Sequence, residues 1–140
     1  MCTMRRRDVL MAMGGGFFAA SVGPTQAAPQ ADAQRFIAEA FRMKNQAVAA
    51  GDQPYGAVVV KDGAIVGYGP SRVVTYRNPN AHAERVAVWD AQKRLGVSDL
   101  TGAVMYSTSR PCSACEAVAE SARLERMYYG ATGADAGRPR

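Results

Sequence analysis

The chain has 140 residues, 48% hydrophobic and 21% charged, with a formal charge of +5 and three cysteines. That balance excludes a disordered chain and a chain made of membrane spans, and the length holds one catalytic domain. Three cysteines, one of them at position 2, do not make a disulfide framework.

Arg5, Arg6 and Arg7 precede an uncharged run from Val9 to Val22, followed by the small residues Ala27 and Ala28. A basic segment, a short apolar segment and a small-residue cleavage site are the plan of a secretory signal, and the run is too short to span a bilayer. Consecutive arginines before Asp8, Val9 and Leu10, with Gly14, Gly15 and Gly16 moderating the apolar run, resemble a twin-arginine signal. An N-terminal helix is the weaker reading, because each interior glycine costs about 1 kcal/mol relative to alanine. Residues 1–27 are therefore expected to be cut off on export, periplasmic or secreted, leaving residues 28–140 as the mature domain with no membrane span. The signal takes three arginines and one aspartate with it, so the formal charge falls from +5 to +3. The remaining cations form no block, and the sequence carries no strong nucleic-acid signal. Cys2 also leaves, and Cys112 and Cys115 stay as a CxxC pair suited to redox chemistry or to a metal.

From Asp32 to Ala50, Phe36, Ile37, Ala40, Phe41, Ala47 and Val48 recur at helical spacing, with Asp32 as the expected N-cap and Gly51 at the C-terminal end. Gly56 to Tyr68 holds two β-branched runs around Asp62-Gly63, the signature of a tight hairpin. Asn78-Pro79-Asn80 is a turn, after which Ala81 to Leu95 reads as a helix stopped by Gly96, with His82 and Glu84 in its first turn. Ala103 to Ser107 reads as a strand, Cys112 to Ala122 as a helix with Pro111 at its start, and Arg126 to Tyr129 as a strand. A strand, helix, strand order implies parallel pairing of the two strands. Ala131 to Arg140 shows no apolar pattern. The string predicts an α/β domain, a mixed sheet with helices on its faces.

His82-Ala83-Glu84 opens one helix and Pro111-Cys112-Ser113-Ala114-Cys115 opens another. Each alone is weak: a single histidine in a helix is usually structural, and a lone CxxC has redox and structural readings. In the order HxE then PCxxC they match the zinc deaminase signature. Zinc favours nitrogen and thiolate ligands in a tetrahedron, and a catalytic site uses three protein ligands with one position open. His82, Cys112 and Cys115 supply the three. Two residues between the cysteines put both side chains on one face, and a helix N-terminus favours their thiolate forms. Zinc lowers the pKa of a water in the open position to roughly 7, so hydroxide forms near neutral pH and attacks the amine-bearing ring carbon. Glu84 is placed to take the water's proton, pass it to a ring nitrogen and protonate the leaving ammonia. Its bland reading is a partner of the helix dipole, worth at most about 1 kcal/mol.

Three segments, Pro54 to Val60, Asn78 to Glu84 and Tyr106 to Cys115, together resemble the cytidine deaminase-like superfamily, and most of all its guanine deaminase and tRNA adenosine deaminase branch. The resemblance runs from about Asp32 to Gly130. It implies a three-layer α/β/α fold with shortened C-terminal elements, a zinc ion on His82, Cys112 and Cys115, Glu84 as proton shuttle, and Ala83 as the backbone position facing the leaving amine. It also implies a pocket touched by Tyr55, Ser71 and Arg110, a small nucleobase or nucleoside as substrate, purine-like for this branch, and a possible homodimer. Ser71 stands where purine deaminases usually carry a base-reading asparagine, and Arg110 where they usually carry glutamate. Asn78 and Asn80 replace the usual aspartate and threonine. Two other readings stand beside the hydrolase: an exported thiol-redox protein built on the CxxC, in which His82-Ala83-Glu84 has no role, and a zinc-binding relative without turnover.

Overall fold

The computed structural model describes residues 29–140. The export signal and cleavage site expected over residues 1–27 lie outside the described residues. Helix α1 runs Pro29–Ala49, strands β1 and β2 run Gly56–Lys61 and Ala64–Pro70, and helix α2 runs Ala83–Leu95. Strand β3 (Ala103–Ser107), helix α3 (Ser113–Ser121), strand β4 (Arg126–Tyr129) and strand β5 (Ala134–Gly137) complete the order. No described helix is long and apolar enough to cross a membrane.

The five strands form one sheet in the order β2-β1-β3-β4-β5. The β1–β2, β1–β3 and β4–β5 pairs are antiparallel, and β3 and β4 are parallel with Met105 opposite Met127. The β1–β2 connection is the expected Asp62-Gly63 turn: both residues have positive φ, 51° and 73°, as the right-handed twist of a two-residue hairpin requires. Alternation along the strands divides the core between the two faces. Val58 and Val60 of β1 face α1 and pack with Phe36, Ala40 and Met43, whereas Ala57 and Val59 join Met105, Met127 and the alanines of α2 and α3. One helix therefore covers one face of the sheet and two cover the other, a three-layer α/β/α domain.

Three helix starts differ from the sequence reading. Helix α1 begins at Pro29, so Asp32 lies in its first turn and is not its N-cap. Helix α2 begins at Ala83, and His82 is its N-cap, with extended φ and ψ of −60° and 152°. Helix α3 begins at Ser113, with Cys112 as N-cap and Pro111 ahead of it. In each case periodicity located the helix but not its first residue; only at α3 does a capping side chain, Cys112, bond the first turn, while His82 makes no side-chain cap bond. The fourth difference is β5: Ala134 to Gly137 has no apolar alternation because it pairs at the sheet edge through its backbone to β4.

Candidate metal centre and its cavity

The metal donors come from the N-terminal caps of two neighbouring helices. A cap residue with extended φ/ψ stands outside the helical spiral, with its side chain at the open N-terminal end of the helix. His82 and Cys112 both take this geometry. The Cys112 thiol also accepts from the Cys115 backbone N–H at 3.4 Å, a capping bond that sets the pair in register. The result brings Cys112 Sγ within 3.3 Å of Cys115 Sγ, and His82 Nδ1 within 3.4 Å of Cys115 Sγ and 3.8 Å of Cys112 Sγ. All three donor atoms lie within 4.8 Å of one another. Two sulfurs and one imidazole nitrogen at such spacing surround a point, leave one tetrahedral position open, and are the donor set zinc selects.

Helix α2 reaches this place because it lies directly on β2. A Cβ on Gly69 would collide with the Ala83 carbonyl oxygen and the Ala87 backbone nitrogen, so only glycine lets the first turn of α2 approach this closely. Ala83 and Glu84 are buried beneath it.

Glu84, 6% exposed, sits among few solvating groups. Burial raises its carboxyl above the usual carboxylate range, outweighing its own backbone N–H and the Cys115 thiol, which pull the other way. Burial likewise pushes the Cys115 thiol far up, with the Glu84 carboxylate adding to the effect. Cys112 moves in the opposite direction: burial opposes its ionisation, but the Cys115 N–H and thiol and the Ala114 N–H hold its pKa below the usual thiol value.

A cavity of about 660 Å³ opens beside the three donors, lined by Gln53, Pro54, Tyr55, His82, Ala83, Glu84, Ser109, Arg110 and Cys112. Tyr55, Ala83, Glu84 and Arg110 thus share one wall system with the metal donors. Arg110 is exposed at the mouth and lies 5.7 Å from the centre of the Tyr129 ring. Ser71 does not line the cavity: it is fully buried, and its hydroxyl donates to Asp52 at 2.9 Å.

Asp52 is the residue that sequence reasoning passed over. Its carboxylate accepts from the Gln53 N–H, the Ser71 hydroxyl, and the Thr75 N–H and hydroxyl, at 2.7 to 2.9 Å. Burial works against its charge, but these four donors win and hold its pKa well below the usual carboxylate range. Through them the Gln53-Pro54-Tyr55 wall is tied to the turn after β2. Gln53 lines the cavity although it lies outside the three segments that carry the resemblance, whereas Pro54 and Ser109 fall within them. The Ser109 loop is fixed across the cavity by paired bonds between Gly56 and Thr108, at 2.9 and 3.1 Å.

A sheet of this order carrying a His/Cys/Cys cluster on two helix caps, with a buried carboxylate beside it, defines a zinc hydrolase of the α/β/α kind. Residues 30–131 match the cytidine and deoxycytidylate deaminase zinc-binding region, and the chain belongs to that family. It is 38% identical over 104 residues to guanine deaminase of Bacillus subtilis, covering 74% of this chain and 67% of that protein. It is 33% identical over 96 residues to the tRNA-specific adenosine deaminase of Aquifex aeolicus, covering 69% of this chain and 64% of that one. The X-ray structure of the Bacillus subtilis guanine deaminase superposes with a TM-score of 0.67 at 37% identity, covering 70% of this chain and 63% of that one. These relatives are deaminases, hydrolases of carbon–nitrogen bonds, and the chain matches about two thirds of their length.

Proposed function

We propose that the protein is a zinc-dependent nucleobase or nucleoside deaminase, with guanine as the favoured substrate. The observation that carries the reading is that, among the described residues, Glu84 is the only carboxylate on the cavity wall, which it shares with two of the three metal donors, His82 and Cys112. Hydrolytic deamination breaks the bond from a ring carbon to its amino group, forms a carbon–oxygen bond from water, and releases ammonia. His82, Cys112 and Cys115 would hold the zinc, which supplies Lewis acidity and makes water nucleophilic near neutral pH. Water's proton must be stored and then delivered to the ring nitrogen and the departing amine. Glu84 is the group within the cavity able to do both, and its raised pKa suits a carboxyl that must carry a proton for part of the cycle.

The remaining walls bind and orient. Pro54, Tyr55 and Ala83 line the cavity together with Glu84 and bound the space a flat ring would take. Ser71 is spent on Asp52 and offers the base nothing, so recognition of its edge falls to Gln53, Ser109 and Arg110. The guanine preference rests on the identity to guanine deaminase. Adenosine in RNA is the second reading, favoured by the likeness to the tRNA enzyme. A panel of guanine, adenine, cytosine, their nucleosides and an RNA stem-loop, followed by ultraviolet absorbance, separates them. Conversion of guanine to xanthine is expected; turnover of the RNA adenosine alone would replace guanine as the substrate.

The export reading rests on Arg5 to Arg7 and the apolar run behind them. Replacing Arg6 and Arg7 with lysine keeps the charge but removes what a twin-arginine receptor reads, so the precursor should stay in the cytoplasm. Normal cleavage and export of that variant, seen by fractionation, would remove the twin-arginine assignment.

A further inference from the structure

Beyond Arg5 to Arg7 the sequence has no block of basic residues, yet the fold assembles a cluster. A second cavity, about 510 Å³, lies where α1 and α2 flank the open edge strand β2, and it shares no lining residue with the metal-centre cavity. Arg42 comes from α1, Arg72 from the turn after β2, and Lys93 and Arg94 from the last turns of α2. They stand 30, 21 and 1 residues apart in the chain, which is why no run of positive charge betrays them. Two aromatic side chains join them: Trp89, 39% exposed, and Tyr76, 61% exposed.

The groove is held in shape by its one acid. Asp90 accepts from the Tyr68 backbone N–H and from Arg94 Nε, each at 2.8 Å, and the Arg94 guanidinium lies 5.1 Å from the Tyr68 ring centre. Asp90 therefore covers the edge of β2 and fixes Arg94, and it accepts from neither Arg72 nor Lys93. Arg42 is paired with Glu39 on its own helix at 2.8 Å. Arg72 and Lys93 make no side-chain hydrogen bond or ion pair among the described residues.

An open groove with unpaired cations from two elements and exposed aromatic rings has two complementary needs, negative charge and flat rings. Single-stranded nucleic acid meets both, its phosphates paired by cations and its bases stacked on aromatic side chains. An acidic peptide offers the charge without the rings. The geometry points to this groove as a docking site for a single-stranded oligonucleotide, with a base on Trp89 and phosphates on Arg72 and Lys93. The site is separate from the metal centre and stands whether or not that centre turns over.

Trp89 is the sole tryptophan of the chain, so its fluorescence reports the groove directly. The full protein is titrated with an oligouridine of about 12 nucleotides, a length within the range such sites occupy. Quenching with a micromolar midpoint is expected. The logarithm of affinity should fall with the logarithm of salt with a slope of about −1.5 to −3, as two to four phosphate contacts give. Lys93→Glu and Arg72→Gln should each weaken binding about tenfold or more and flatten that slope, with unchanged melting temperature. Lys93 is exposed on a helix, so its variant decides the matter if the Arg72 variant fails to fold. The inference is overturned by absence of quenching at low salt, or by equal binding of inorganic polyphosphate, an acidic peptide or uridine monophosphate. It is also overturned if quenching follows protein concentration alone, the mark of a second copy on this face.

Discussion

Asp52 does its work at the scale of a single carboxylate. With its folded pKa depressed, its contribution to stability is complete above the unfolded value of about 3.9 and is lost as pH falls through the folded one. Asp52→Ala removes the acceptor for four donors, one of them the fully buried Ser71 hydroxyl, and should cost about 1–3 kcal/mol at neutral pH. The gap in melting temperature between the native protein and the variant should therefore be widest near pH 7 and shrink below about pH 4. Metal loss in acid affects both proteins and does not produce that narrowing. A gap independent of pH in thermal melts from pH 7 to 3 would show that the carboxylate's charge is not what binds the wall. His82, Glu84, Cys112 and Cys115 were legible in the sequence because their chemistry is packed into two short motifs. Asp52 was not, since its partners Ser71 and Thr75 lie 19 and 23 residues away and no local pattern links them.

The elements that carry the site depend on close approach. Hairpin, strands β3 and β4 and the bodies of all three helices follow from turn residues and hydrophobic period, signals that act within a few residues. Where the helices begin is decided by caps, and here the difference is chemical: His82 and Cys112 stand on the caps, free of the helix barrel, and so can meet. Strand β5 was invisible because a short edge strand needs no buried side chain to pair. The glycines of β2 were visible as residues but not as contacts. Gly69→Ala should push the first turn of α2 off the sheet, costing about 1–3 kcal/mol or more and displacing His82 and Glu84 together. Denaturant unfolding and metal content should fall in step in that variant. Unchanged stability would mean that α2 has room the observed contact denies it.

For the whole molecule, metal binding and folding are one equilibrium, because two of the donors belong to α3 and the third to α2. A metal that binds only the folded arrangement stabilises it. The purified protein should hold one zinc per chain, and its removal by a chelator should lower the melting temperature by about 10 °C or more. A metal-free protein with a reversible Cys112–Cys115 disulfide would instead support the thiol-redox reading.

The measurement that bears most directly on the deaminase assignment is ammonia release by zinc-loaded protein, native and Glu84→Gln, on guanine and the rest of the base and nucleoside panel. Glutamine keeps the size of the buried side chain and removes only its ability to take and return a proton. The native protein should release ammonia from guanine, and the variant should keep its zinc while losing at least about a hundredfold in rate. No release from any substrate by the zinc-loaded native protein, or full activity in the glutamine variant, would contradict it.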